Sequence, residues 1–175
     1  MLEQEASSLS EREGLSEFLD MQREALIERL QSLSDSEARG TPTASALSLL
    51  SIVKHSAIWE RRWFQVIVAG RSFEGEWPNT NDGEIDQTFQ LTNEDSIQSV
   101  VNFYREQIVA SQEILKNMEL DAACAWPKLS HRNLRWVALH MIEETARHAG
   151  HADIIRESLD GRRGRQGTST TTTTA

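Results

Sequence analysis

The chain has 175 residues, a formal net charge of −9 and 26% charged side chains, enough for one domain with its own core and too few to expect two. The acidic balance argues against nucleic acid as a partner, because sequence-independent binding rests on clustered Lys and Arg. The single cysteine, Cys124, excludes an internal disulfide, the start Met-Leu-Glu-Gln-Glu lacks a basic region followed by an apolar one, and no apolar run nears the roughly 18 residues that cross a membrane. A cytoplasmic location and no membrane partner are therefore expected.

Four segments carry a helical period, and none carries a convincing strand alternation. The first runs from about Glu11 to Leu33, with Leu15, Phe18, Leu19, Leu26, Leu30 and Leu33 on one stripe. Thr41-Pro42 has the form of an N-cap followed by proline at the first helical position, and predicts a second helix over about Thr43 to Ala69, ended by Gly70. The following stretch holds Gly75, Trp77-Pro78, Asn79 and Asn81-Asp82-Gly83, a density of turn formers that predicts a long loop. Thr92 with Asp95 three residues on has the form of a capping box. It predicts a third helix from about Glu94 to Met118, with Ile97, Val100, Val101, Tyr104, Ile108 and Leu115 inward. After a second irregular stretch with Cys124, Trp126 and Pro127, either Ser130 or Asn133 can cap a fourth helix that ends near Asp160, with Gly161 at C′.

Residues 162–175 run Arg-Arg-Gly-Arg-Gln-Gly and then into threonines. Too poor in apolar groups to pack, they are expected to form a disordered tail beyond a single domain over 1–161. The fold class that follows is all-α, a four-helix bundle, and bundles build ligand and metal sites from side chains on facing helices.

The last helix concentrates the chemistry. His140, Glu144, His148 and His151 fall within roughly 80° of one helical face, and Glu144 and His148 stand at i, i+4, about 5–6 Å apart at Cβ. On the second helix His55 shares a face with Ile52, Trp59, Trp63 and Val66, and on the fourth the histidine face is shared with Trp136, Val137, Ile154 and Ile155. Glu144 on a buried face needs a partner, since a lone buried carboxylate costs several kcal/mol or takes up a proton. Two partners fit: an arginine, Arg62 or Arg147, or a metal ion held with histidines in the N,N,O set that suits Zn²⁺ and other first-row divalent ions.

The stretches Ile-Val-Lys-His55-Ser-Ala-Ile-Trp59-Glu-Arg-Arg62-Trp63-Phe and Trp136-Val-Ala-Leu-His140-Met-Ile-Glu-Glu144-Thr-Ala-Arg-His148-Ala-Gly-His151-Ala-Asp153 resemble the DinB-like superfamily over about residues 10–161, in particular its mini-circle protein branch. The resemblance implies a four-helix bundle of DinB-like type that binds a divalent ion through a histidine of helix two and a pair spaced i, i+4 on the last helix. Many relatives carry His-x-x-x-His followed by Arg-Gly-Gln. Here the pair is Glu144 and His148 followed by Ala-Gly-His151, with glutamate at the first ligand, as in the mycothiol-dependent maleylpyruvate isomerases. The ligands implied are His55, Glu144 and His148; His151 becomes a candidate for facing substrate, and His140 for scaffold.

Three protein ligands leave open positions, as catalytic sites do. The resemblance implies a metal-dependent enzyme in which a low-molecular-weight thiol is bound as thiolate, an S-transferase or isomerase of small electrophiles, with hydrolysis by metal-activated water as a further possibility. Zinc is the leading ion, and nickel, iron or manganese suit the same donors. The rival class is a non-catalytic metal or small-molecule binding or stress protein; a homodimer is expected in either case. Arg62 is a candidate to hold a substrate carboxylate or to neutralise Glu144. Trp59 and Trp136 are expected mainly to fill core, with Trp59 also a candidate to line an aromatic pocket near the metal or face substrate, Trp77 to form part of a lid, and Cys124 to be inert.

Overall fold

The structure is a computed structural model that describes residues 9–73 and 86–163. The long-loop residues Gly75 to Gly83, the Trp77 lid and most of the expected tail lie outside the described residues. Among the described residues the architecture is helical: α1 (Glu11–Glu28), a short α2 (Asp35–Ala38), α3 (Leu49–Glu60) continued by a π-helical segment (Arg61–Val68), α4 (Ile97–Asn117) and α5 (Leu134–Asp160). No described helix is long and apolar enough to cross a membrane.

Side-chain pairs give the helix directions. Arg135 at the start of α5 meets Glu11 at the start of α1, and Arg156 near its end bonds the Arg29 carbonyl just past the end of α1, so α1 and α5 run parallel. Arg12 reaches the Met118 carbonyl beyond the end of α4, and Arg105 approaches Glu24, so α4 is antiparallel to α1. Lys54 of α3 meets Asp95 just before α4, while Trp63 meets His140 and His55 meets His148 on α5. The order is up, down, down, up. The parallel neighbours α3 and α4 require a connection that returns to the same end of the bundle, and this accounts for the long turn-rich segment between them.

The core has two parts. Leu26, Leu30, Leu50, Ile52, Val53, Tyr104 and Ile155 fill one, and Leu19, Phe64, Ile67, Leu115, Val137 and Met141 fill the other. The expected stripe of α4 is inward. Two assignments were wrong: Phe18 and Ile154 are each 60% exposed, because neighbours at i+1 (Leu19 and Ile155) occupy the buried side of their helices.

Helix boundaries differ where several caps compete. The helix after Pro42 begins at Leu49, not Thr43. Between them Ser45 N–H donates to Thr43 Oγ1 and Leu47 N–H to Ser45 Oγ, local bonds that hold a non-helical backbone, while Ser48 and Ser51 form the capping box. The Thr92–Asp95 pair forms its bond, Thr92 N–H to Asp95 Oδ2 at 2.6 Å, but around a turn, and Ser96 with Ser99 caps α4. The first helix stops at Glu28 and is followed by a turn and α2, capped by Ser34 and Glu37. At α5, Asn133 is the N-cap and Gly161 the left-handed C-terminal residue, with φ 75°.

The π-helical segment was not anticipated. Ala69 N–H donates to the Phe64 carbonyl, an i to i−5 bond. Val68 and Ile67 carbonyls accept from Ala125 and Trp126 N–H, so the segment's end is satisfied by the connection between α4 and α5. Such segments occur often beside functional sites, and this one carries Trp63.

Candidate functional site

A cavity of about 220 Å³ opens between α3 and α5, lined by His55, Ser56, Trp59, Trp63, Asp86, His140, Met141, Glu144, Thr145 and His148. The antiparallel packing of α3 on α5 brings the imidazoles of His55 and His148 to 4.7 Å between ring centroids, edge to face. Glu144 Oε2 stands 3.8 Å from His148 Nε2. That is too long for a hydrogen bond and close to the separation of two ligand atoms each about 2.0–2.2 Å from one ion. His148 Nδ1 is buried without a hydrogen-bond partner, so its ring carries an uncommitted polar atom inside the protein.

Burial sets the charge state of both histidines. Desolvation, helped by the neighbouring His148 and opposed by Asp86, pushes His55 down to about 3, and desolvation pushes His148 down to about 4. Both imidazoles are neutral near pH 7, the form in which histidine binds a metal. Two neutral imidazoles and a carboxylate thus line one cavity, donors of the type that suits a divalent ion, but the ligand atoms of His55, Glu144 and His148 do not all lie within 4.8 Å of one another, as those of His140, Glu143 and Glu144 do.

The non-metal alternative for Glu144 is also met in part, because Arg147 Nη1 donates to Glu144 Oε1 at 2.8 Å. That pair is half exposed on the rim and leaves Oε2 to the cavity side. Arg62 is placed differently from the expectation. Its buried guanidinium lies 5.0 Å over the Trp59 ring and 5.2 Å over Phe73, and is not on the cavity wall. Trp59 is half buried on the cavity wall, the pocket-lining place expected for it beside core filling, with its indole N–H on Asp86. His151 is exposed, 6.0 Å from the His148 ring, and does not line the cavity. His140 is stacked on Trp136 and edge-on to Trp63, as a scaffold residue would be, yet its ligand atom lies within 4.8 Å of those of Glu143 and Glu144. Glu144 thus faces a second cluster as well, one whose Glu143 is exposed and paired with Arg147. Cys124 is buried and free, and desolvation pushes its thiol up, which suits an inert role.

Sequence reasoning missed Asp86, Thr88 and Phe89, which it took as part of the loop. Asp86 caps the 3₁₀ turn Gln87–Phe89, and that turn packs on α3: Phe89 stacks on His55 at 3.8 Å and 5°, and Thr88 Oγ1 lies 2.6 Å from His55 Nδ1. The signal was the pair Asp86-x-Thr88, since an aspartate two residues before a backbone donor is an Asx turn. Partial burial works to raise the Asp86 carboxyl, but bonds from Thr88 and Trp59 outweigh it and hold it below its ordinary value.

A family model described as mycothiol-S-transferase matches residues 14–161. The chain belongs to the mycothiol-S-transferase family. The family is a DinB-like one, and the resemblance of the His55 and His148 helices to that superfamily is borne out. Among solved structures, the chain is similar to the crystal structure of a conserved protein of locus from Enterococcus faecalis, at 15% identity and a TM-score of 0.62, covering 89% of this chain and 100% of that one. At that identity the likeness shows the fold alone. No curated protein matches.

Proposed function

We propose that the chain is a metal-dependent transferase that joins a low-molecular-weight thiol, mycothiol by the family's description, to a small electrophile. One observation supports the reading: His55 and His148, from helices far apart in sequence, meet ring to ring on the wall of a cavity that Glu144 also lines. A divalent ion held by His55, Glu144 and His148 would lower the pKa of a thiol placed beside it, so that thiolate is available at neutral pH.

The chain's own residues supply the rest. Trp59, Trp63 and Met141 form an apolar wall against which the electrophile can lie, and keep water from that side. Asp86, held by Trp59 and Thr88, keeps one wall of the cavity and the indole in fixed positions. In the reaction the sulfur electron pair forms the bond to carbon, the leaving group departs with its bonding pair, and the thiol proton goes to solvent. Arg62, stacked on Trp59 and acting electrostatically on His55 and Asp86, remains the candidate for a substrate carboxylate.

The test has two parts. Purified protein should hold close to one divalent ion per chain, and that protein should conjugate mycothiol to an aryl halide with a rate lost in His148→Ala. A protein that binds the ion tightly and the thiol without turnover would be the binding protein of the rival reading. The expectation of a homodimer draws support from exposed Phe18 and Met21 on α1 and Val109 on α4, and the mass in solution decides it.

A further inference from the structure

We propose that Asp86 and Thr88 are positioning residues that fix the tautomer of His55, holding its proton on Nδ1 and leaving the Nε2 lone pair for the site. The inference rests on the reading of His55 as a ligand, although the tautomer itself does not depend on a metal being bound.

The direction of each hydrogen bond follows from counting protons. The Asp86 carboxylate has only acceptor oxygens. Three donors converge on it: Thr88 N–H at 2.8 Å, Thr88 Oγ1–H at 2.8 Å and Trp59 Nε1–H at 3.0 Å. Thr88 has one hydroxyl proton, and it points at Asp86. At its 2.6 Å contact with His55 Nδ1 the same oxygen can then only accept. The donor there is Nδ1–H, and a neutral imidazole with its proton on Nδ1 offers Nε2 as a lone pair.

The ring is fixed in plane as well as in proton. Phe89 lies flat on His55, and Thr88 pins one edge. All three groups come from one 3₁₀ turn, Gln87–Phe89, with its cap Asp86. Capping that turn needs the Asp86 carboxylate on Thr88 N–H alone; the hydroxyl aimed at the histidine is additional. A carboxylate acting through a second group on the far nitrogen of a histidine is how a ligand is oriented and its tautomer selected.

The proposal turns on the polarity of the chain, which substitution can reverse. With Asp86→Ala the acceptor for the Thr88 hydroxyl is gone, so that its proton can turn toward His55 Nδ1 and drive the ring proton to Nε2. Thr88→Val removes the acceptor, and Thr88→Ser restores it. Metal-free full-length protein would be examined by ¹⁵N-edited NMR of the histidine rings, and zinc chloride then titrated by calorimetry into the same samples. Wild type and Thr88→Ser should show His55 protonated on Nδ1. Asp86→Ala and Thr88→Val should show Nε2–H signal and bind zinc on the order of 10- to 100-fold more weakly. His55 protonated on Nε2 in the wild type, or wild-type tautomer and zinc affinity in both altered proteins, would overturn the proposal. If Asp86→Ala does not fold, the Thr88→Val and Thr88→Ser pair decides. A wild type with the Nδ1–H tautomer that takes up no zinc would sink the functional reading and leave the tautomer assignment standing.

Discussion

Arg23 of α1 and Glu60 of α3 form an ion pair sealed from solvent, with 1% and 0% of their side chains exposed. Ser111 of α4 completes it: Arg23 Nη2 donates to Ser111 Oγ at 2.9 Å, and the serine hydroxyl donates to Glu60. The cluster ties three helices together at the residue where α3 passes into its π-helical segment. Arg23→Met leaves an uncompensated buried carboxylate and should cost about 3–5 kcal/mol. The double change Arg23→Met with Glu60→Met should recover most of that loss. Urea unfolding of the single and double variants checks this; equal losses in both would show that the pair is not what holds the helices.

Metal removal provides a second prediction. A ligand that binds only the folded state stabilises it in proportion to its saturation, by about 2.7 kcal/mol at one hundred times Kd. Exhaustive chelation should therefore lower the Tm by several degrees, and added zinc should restore it. In His148→Ala the chelator and zinc should leave the Tm unchanged. A chelator-sensitive Tm in that variant would place the ion elsewhere, with the His140, Glu143 and Glu144 cluster as the alternative site.

Lys54 and Asp95 link the start of α3 to the turn before α4 through a 2.8 Å bond. Partial burial works to raise the Asp95 carboxyl, but Lys54 and Thr92 outweigh it and hold it below its ordinary 3.8. A carboxyl lowered in the folded state contributes stability that is complete above the unfolded value and is lost as pH falls through the folded one. Asp95→Asn should cost about 1 kcal/mol at pH 7. The difference between wild type and variant should shrink as pH drops below 3.8. Unfolding curves at pH 7 and pH 3 measure it, and an equal difference at both would exclude the ion pair as its source.

Gly70 ends the π-helical segment at φ +68°, where a Cβ would come to 3.0 Å from the Ala125 Cβ. Gly70→Ala pays both a left-handed strain and a contact with the α4–α5 connection. It should lower stability by about 1–2 kcal/mol. The matching change at Gly161, which has φ +75° but nothing near its Cβ, should cost less, because only the backbone term applies; thermal melts of the two variants compare them.

Much of the fold was legible because it rests on local and periodic signals. The inward stripe of α4, the Asn133 cap and the Gly161 end of α5 all follow from spacing and capping chemistry. The start of α3 was not, since Thr41, Ser45 and Ser48 offer comparable caps. Packing of Leu49 and Leu50 into the core chose the last. The π-helical segment has no strong local signature either, and its carbonyls are satisfied by residues some sixty positions later.

By itself the sequence determined that the chain is a helical bundle with a carboxylate and a histidine one turn apart on its last helix, because 3.6-residue periodicity and i, i+4 geometry are properties of a single helix. Only the tertiary structure decided that His55 packs against His148, that Arg62 stacks on Trp59 and Phe73, and that Asp86 and Thr88 reach His55 from a segment read as loop. Most of those contacts join residues distant in sequence, and the physical terms that select them, burial of the ring faces and satisfaction of every buried donor and acceptor, act only once the helices are packed.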